Sequence, residues 1–252
     1  MNARVETRRG GFRGPALGVV VPFDMELDRE LWRWLPEDVD LLITRTPYVD
    51  DAVTIEFARE LTHGAAIPVA VRSVVAGRAR VVAYACTSAS FVGGRGGEAV
   101  LRETMTGAGA QEAITTSGAI IEALSALGAR RVAVATPYLP ELSALLDRYL
   151  AEWGIEVAVH MALGLDRAIW EVSSARIAAL VREVDRPEAD AIVLSCTNLP
   201  SYELIAPLEE ELGKPIVTAN QATMWAALGR MGRAPVGEGQ ALASREWVPL
   251  GR

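Results

Sequence analysis

Short apolar runs rich in β-branched residues recur through the 252-residue chain, and between them apolar positions fall three or four apart. The first pattern is that of buried strands; the second is that of helices with one buried face. Strands are predicted near 17–21, 39–44, 67–75, 80–85, 131–135, 155–160, 191–195 and 215–218. Helices are predicted near 26–35, 53–62, 110–127, 139–153, 174–184, 201–212 and 221–231. Their alternation predicts an α/β fold of parallel sheets covered on both faces. Gly128 and Gly154 stand where helices end in a left-handed residue, and Asp185-Arg186-Pro187 closes the helix before it. The run Gly93-Gly94-Arg95-Gly96-Gly97 fits neither a P-loop nor a dinucleotide fingerprint. It reads equally as a flexible loop over a site and as a surface turn.

One cassette occurs twice: an apolar strand, then Cys-Thr, then a turn into a helix. The copies are Val81 to Ser88 around Cys86 and Ala191 to Asn198 around Cys196, and these are the only cysteines. A second pair of segments precedes them. Leu17 to Phe23 and Arg131 to Tyr138 are both strands that end in Pro-aromatic, each followed at the same distance by Arg33 or Arg148. A repeat in this order predicts two similar halves with a site between them. Residues 17–115 form the first and 116–216 the second, with 217–250 returning onto the first. In open parallel sheets ligands gather at the carboxyl ends of strands, where both cysteines fall.

Composition narrows the function. Half the residues are hydrophobic, enough for a large core, yet no apolar run approaches the length of a membrane span. The Arg- and Gly-rich residues 1–15 lack the apolar segment of a secretory signal and read as a solvated tail. A net charge of −7 argues against general nucleic-acid binding. Two cysteines outside any CxxC spacing predict free thiols, a reducing compartment and a cytoplasmic protein. No metal-ligand spacing is present, and the two histidines, His63 and His160, are far apart. Tryptophans near 32–34 are the place to look for a contact between copies of the chain.

A thiol at a strand-to-helix junction faces backbone N–H groups, which predicts a lowered pKa at Cys86 and Cys196. With Thr87, Ser88, Thr197 and Asn198, the same N–H groups predict a carboxylate site. One thiolate could take a proton or add to carbon while the other thiol donates, with no cofactor. Tyr138 can reach the same cleft and stabilise negative charge, whereas its counterpart Phe23 has no hydroxyl. Asp24 and Glu26 either enter the cleft or begin a helix.

These residues resemble the aspartate/glutamate racemase superfamily. The resemblance rests on Tyr84-Ala85-Cys86, Val92-Gly93-Gly94, Ser117-Gly118-Ala119, Thr136-Pro137-Tyr138 and Leu194-Ser195-Cys196, and runs from Leu17 to Met231. The branch of maleate cis–trans isomerase is the most similar, with arylmalonate decarboxylase beside it. The resemblance implies two pseudo-symmetric flavodoxin-like halves, no cofactor, Cys86 adding to an alkene carbon, Cys196 as its acid/base partner, and Tyr138 holding substrate. The decarboxylase branch has Gly at the first cysteine, so Cys86 counts against simple decarboxylation. Amino-acid racemases carry His where Asn198 stands.

Two substrate-holding Asn positions of the isomerases fall at Met25 and Ala168, and Asp24 adds negative charge nearby. A bulkier or less charged acid than maleate suits Phe23, Met25 and Trp170 better. The expected protein is therefore a two-cysteine isomerase or racemase of a small carboxylic acid. Its rivals are a decarboxylase-like lyase and a non-catalytic two-lobed binder of small molecules.

Overall fold

The six residues of β1 (Ala16–Val21) are all buried, as befits an inner strand of a parallel sheet covered on both faces. In the computed structural model, which describes residues 14–48, 54–60 and 65–250, β1 pairs with β2 (Asp40–Arg45) on one side and β3 (Val81–Tyr84) on the other. β3 in turn pairs with β4 (Glu112–Thr115), always in parallel. A second parallel sheet follows the same plan. β5 (Arg131–Thr136) lies between β6 (Glu156–Ala162) and β7 (Ala191–Leu194), and β7 pairs with β8 (Ile216–Thr218). The strand orders are β2-β1-β3-β4 and β6-β5-β7-β8. In each sheet the chain leaves its first strand in one direction and returns on the other side. The connections therefore diverge between β1 and β3, and between β5 and β7, and that divergence opens a crevice.

The helices of the first half are α1 (Asp28–Leu31), α2 (Ile55–Glu60), α3 (Ala66–Ala76), α4 (Thr87–Phe91) and α5 (Gly94–Gly107). Those of the second are α6 (Thr116–Leu127), α7 (Pro140–Glu152), α8 (Ser174–Val184) and α9 (Tyr202–Leu212), and α10 (Ala219–Arg230) follows β8. α6 and α10 pack against each other between the sheets, and α10 also touches β3 and β4. One apolar cluster runs from Leu17 and Val19 through Ile120, Leu124 and Trp225 to Val134 and Val193, so the halves share a core. The residues after α10 also reach the first half: Val236 N–H donates to the Trp34 carbonyl, and Trp34 Nε1 donates to Gln240 Oε1 at 2.9 Å. No helix is long and apolar enough to cross a membrane among the described residues.

Several elements differ from expectation. Residues 67–75 form helix α3, not a strand. Their β-branched content is high, but Ile67, Ala70, Val71 and Val74 are the buried positions, a helical spacing that outweighs strand propensity. The predicted helix 110–127 divides into β4 and α6, because residues 112–115 complete the edge of the first sheet. In the glycine-rich run only Gly93 lies in a turn; Gly94, whose φ is +65°, and the residues after it open α5. β8 belongs to the second sheet, so only α10 and the residues after it reach the first half. Trp34 is fully buried, which leaves Trp32 as the exposed tryptophan of that pair. His63 and residues 1–13 lie outside the described residues.

Gly18 is where α3 approaches β1 most closely. A Cβ there would stand 2.7 Å from Val74 Cγ2 and 2.9 Å from the Cβ of Ala79. Gly18→Ala is expected to destabilise the protein by about 1–3 kcal/mol, the usual cost of overpacking. Urea unfolding should show a lower midpoint with an unchanged slope.

Candidate active site

The crevices of the two sheets face each other, and the cysteines stand at their lips. β3 ends at Tyr84, and Ala85 N–H still bonds to the Val20 carbonyl at 2.8 Å. Cys86 then takes an extended conformation and caps α4. The turn is held from behind: Ser90 Oγ and Ser117 Oγ, 2.6 Å apart, both donate to the Thr87 carbonyl. Thr116 Oγ1, in the first turn of α6, donates to the Tyr84 carbonyl and lies 2.9 Å from Thr223 Oγ1 of α10. Cys86 Sγ is 3.8 Å from Ser88 Oγ.

Cys196 occupies a tighter turn. Its φ is +142°, a region that is almost glycine-only and costs about 1–3 kcal/mol for another residue. Its surroundings enforce this conformation. Asn198 N–H donates to Cys196 Sγ at 3.4 Å, and Asn220 Nδ2 donates to the Thr197 carbonyl at 2.9 Å. Asn220 is itself held by Glu30 Oε1 at 3.1 Å, and Glu30 also accepts from Ser201 N–H at 2.9 Å and Ser201 Oγ at 2.7 Å. A buried carboxylate from the first half thus anchors the cysteine turn of the second.

Cys86 and Cys196 open into one narrow, partly open cavity of about 30 Å³, walled also by Pro22, Asp24, Thr87, Ser88, Tyr138, Ile169, Thr197 and Asn198. That volume holds a water molecule or two, so a carboxylic acid requires the walls to part. Larger grooves of about 940 and 710 Å³ lie elsewhere, along α9 with residues 235–244 and at the amino ends of β1 and β3.

Electrostatics in the cavity run opposite to the expected lowered thiol pKa. Burial pushes the Cys86 thiol up to about 11 and the Cys196 thiol up to about 12. Donors oppose this (Ala89 N–H and Ser88 at Cys86, Asn198 N–H and Tyr138 at Cys196), but lost hydration outweighs them. The Asp24 carboxyl raises both thiols further, and burial raises its own pKa. Each thiol has a tyrosine near it: Tyr84 beside Cys86 and Tyr138 beside Cys196. Tyr138 also lies beside Thr87 and Ser195, whose hydroxyl oxygens are buried without a formed hydrogen bond.

Of the expected site residues, the structure brings Cys86, Cys196, Tyr138, Thr87, Ser88, Thr197, Asn198 and Asp24 to the cavity wall. Asn198 also bridges the halves: Nδ2 gives one of its two hydrogens to the Asp24 carbonyl and Oδ1 accepts from Glu26 N–H. Phe23 stacks edge-on against Tyr48, Met25 is buried in the core, and Ala168 sits one residue before the lining Ile169; none of the three lines the cavity. Ala168 is left-handed, with φ of +51°. Pro22, Ile169 and Tyr84 were missed. Tyr84 was open to detection, because two residues before Cys86 along a strand is the same face. His160 bonds to Asp147 and Thr136 and takes no part in the cavity. No group of three or more metal-ligating side chains is present among the described residues.

Comparison with known proteins follows this geometry. Residues 65–242 match the model of a family described as arylmalonate decarboxylase. The arylmalonate decarboxylase of Bordetella bronchiseptica is 30% identical over 85% of this chain and 89% of its own length. A maleate isomerase of Nocardia farcinica is 33% identical over 59% of this chain, an alignment that spans only 62% of that enzyme. In structure, a maleate cis–trans isomerase of Nocardia farcinica superposes with a TM-score of 0.78 at 27% identity, covering 88% of this chain and 96% of that one. It is a cysteine-to-serine variant with a covalently bound succinylcysteine intermediate.

Proposed function

Since the chain belongs to the arylmalonate decarboxylase family, we propose that it is a cofactor-independent isomerase or racemase of a small carboxylic acid that works with two cysteines. The observation that carries this reading is the single cavity into which one thiol from each half opens. Such chemistry needs one thiolate and one thiol. In cis–trans isomerisation the Cys86 thiolate adds to an alkene carbon and the π pair moves to the neighbouring carbon, where Cys196 delivers its proton. Rotation about the new single bond and reversal of both steps restore the two sulfurs. In racemisation one thiolate takes the proton α to the carboxylate, the pair rests on the carboxylate oxygens, and the other thiol protonates the opposite face. Tyr138, Thr87 and Thr197 would receive the charge on those oxygens. The succinylcysteine of the Nocardia relative supports the addition route. Two free thiols suit a reducing compartment such as the cytoplasm.

A second reading is decarboxylation, favoured by the longer alignment to the Bordetella enzyme. It breaks a carbon–carbon bond, releases carbon dioxide and needs only Cys196 to protonate the enediolate. Incubation with a panel of carboxylic acids in D2O, followed by NMR, separates the readings. Wild type is expected to isomerise or deuterate one acid, and Cys86→Ala and Cys196→Ala each to lose at least a hundredfold. Carbon dioxide release that survives Cys86→Ala selects the decarboxylase. Absence of turnover across the panel leaves a two-lobed binder.

A further inference from the structure

We infer that Asp24 makes the substrate a monoanion, a monocarboxylate whose substituent offers a hydrogen-bond donor. The inference rests on the carboxylate-binding cavity just proposed and names what that cavity selects. Asp24 stands in the same wall as both thiols and the Thr87 and Ser88 hydroxyls. No lysine, arginine or histidine lines this cavity among the described residues. No ion pair to Asp24 is formed among the described residues: Arg45 pairs with Asp28, and Arg33 with Glu203. The nearby charge that Asp24 does feel is Glu26, of its own sign.

The backbone around Asp24 is fixed. Asn198 grips the Asp24 carbonyl and Glu26 N–H from across the cleft, which holds the base of the Asp24 side chain at the cavity wall. Closing this wall over a dicarboxylate would bring like charges together with no cation lining the cavity among the described residues, and their repulsion grows as water is excluded. A carboxylate closed off from water also needs donors. Asp24 has its own N–H as a donor, and no side-chain donor bonds its carboxylate among the described residues, so acceptor capacity is left for the substrate. A hydroxyl or amino group beside the reacting carbon meets it, and a second carboxylate does not.

Three acids of equal carbon number test the inference: lactate, propionate and malonate. Their binding is read by isothermal calorimetry and by protection of Cys86 from alkylation. Wild type is expected to bind lactate best, propionate less well and malonate at least tenfold more weakly than lactate. Asp24→Asn is expected to reduce the lactate-to-malonate ratio at least tenfold. Malonate binding wild type as well as lactate would overturn the inference, as it would if Asp24 stayed protonated and donated to a second carboxylate. So would an unchanged ratio in Asp24→Asn, or no lactate binding to wild type. These are binding ratios, so the charge preference can stand where the two-cysteine turnover fails, and turnover can stand where the preference fails.

Discussion

In the ligand-free protein at pH 8, the thiolate population is expected to be about two hundredfold smaller at Cys86 than in a free cysteine, and about two thousandfold smaller at Cys196. These ratios follow from thiols raised to about 11 and about 12 against an ordinary value of about 8.5. Higher intrinsic nucleophilicity of a more basic thiolate recovers part of the rate, and a narrow cavity takes part of it away. Iodoacetamide labelling read separately at each cysteine should therefore be slow at neutral pH and rise about tenfold per pH unit toward those values. Labelling of either thiol at the rate of a free cysteine at pH 7 would show that the cavity is open to water in solution. The same shifts make a stability prediction. A group whose folded pKa is raised contributes stability that is present below its unfolded pKa and is lost as pH rises through the folded one. For the thiols that window runs from about pH 9 to about pH 12. At about 1.4 kcal/mol per unit the loss amounts to several kcal/mol. The buried Tyr84, Tyr138 and Tyr149, also raised, add to it with the same sign. Replacing both cysteines by serine should shallow the alkaline fall in urea midpoint without removing it.

Glu30→Ala is expected to cost about 3–5 kcal/mol, because it strands Ser201 N–H and one hydrogen of Asn220 in a buried place, each at about 1–3 kcal/mol, and leaves Ser201 Oγ only its longer bond to Thr218 Oγ1. In a chain of this size that corresponds to a fall in Tm of roughly 6–20 °C. The effect should also be local to one thiol. Asn220 loses its anchor, the Thr197 carbonyl loses Asn220, and the strained Cys196 is free to relax. Cys196 should then label faster relative to Cys86, whose turn is held instead by Ser90 and Ser117. Glu30→Gln keeps the shape but sets an amide N–H2 among the donors, and should fall between wild type and Glu30→Ala in both readouts. Equal acceleration at both cysteines would mean that Glu30 supports the fold alone.

The cysteine turns illustrate what was open to reading in the chain and what was not. Both were recognisable, since a strand period of two and a Cys-Thr junction are local patterns. Their proton affinity was not, because it depends on how completely the facing half excludes water. Asn198 shows the same division. As a residue after Cys-Thr it looks like a ligand donor; in the structure its amide oxygen and one amide hydrogen also bond residues 24–26, far away in the chain. Helix α3 was misread because β-branched residues suggest a strand, whereas the spacing of its buried positions, which decides burial, is helical. Glu30 gave no local sign of its role. Its partners Ser201 and Asn220 are 171 and 190 residues away.

By itself the amino-acid sequence determined the alternation of strands and helices, the two similar halves, and the placing of one cysteine at a strand end in each. These follow from periodicity and from the rule that parallel strands present their carboxyl ends to ligands. Tertiary structure alone decided that both thiols meet in a single cavity, where burial raises their pKa. It also decided that a backbone conformation unfavourable to cysteine is held by a glutamate of the other half, and that an aspartate without an ion-pair partner among the described residues faces the reaction space. Each of these depends on desolvation or on a hydrogen bond between residues distant in the chain, quantities that exist only once the two halves are packed together.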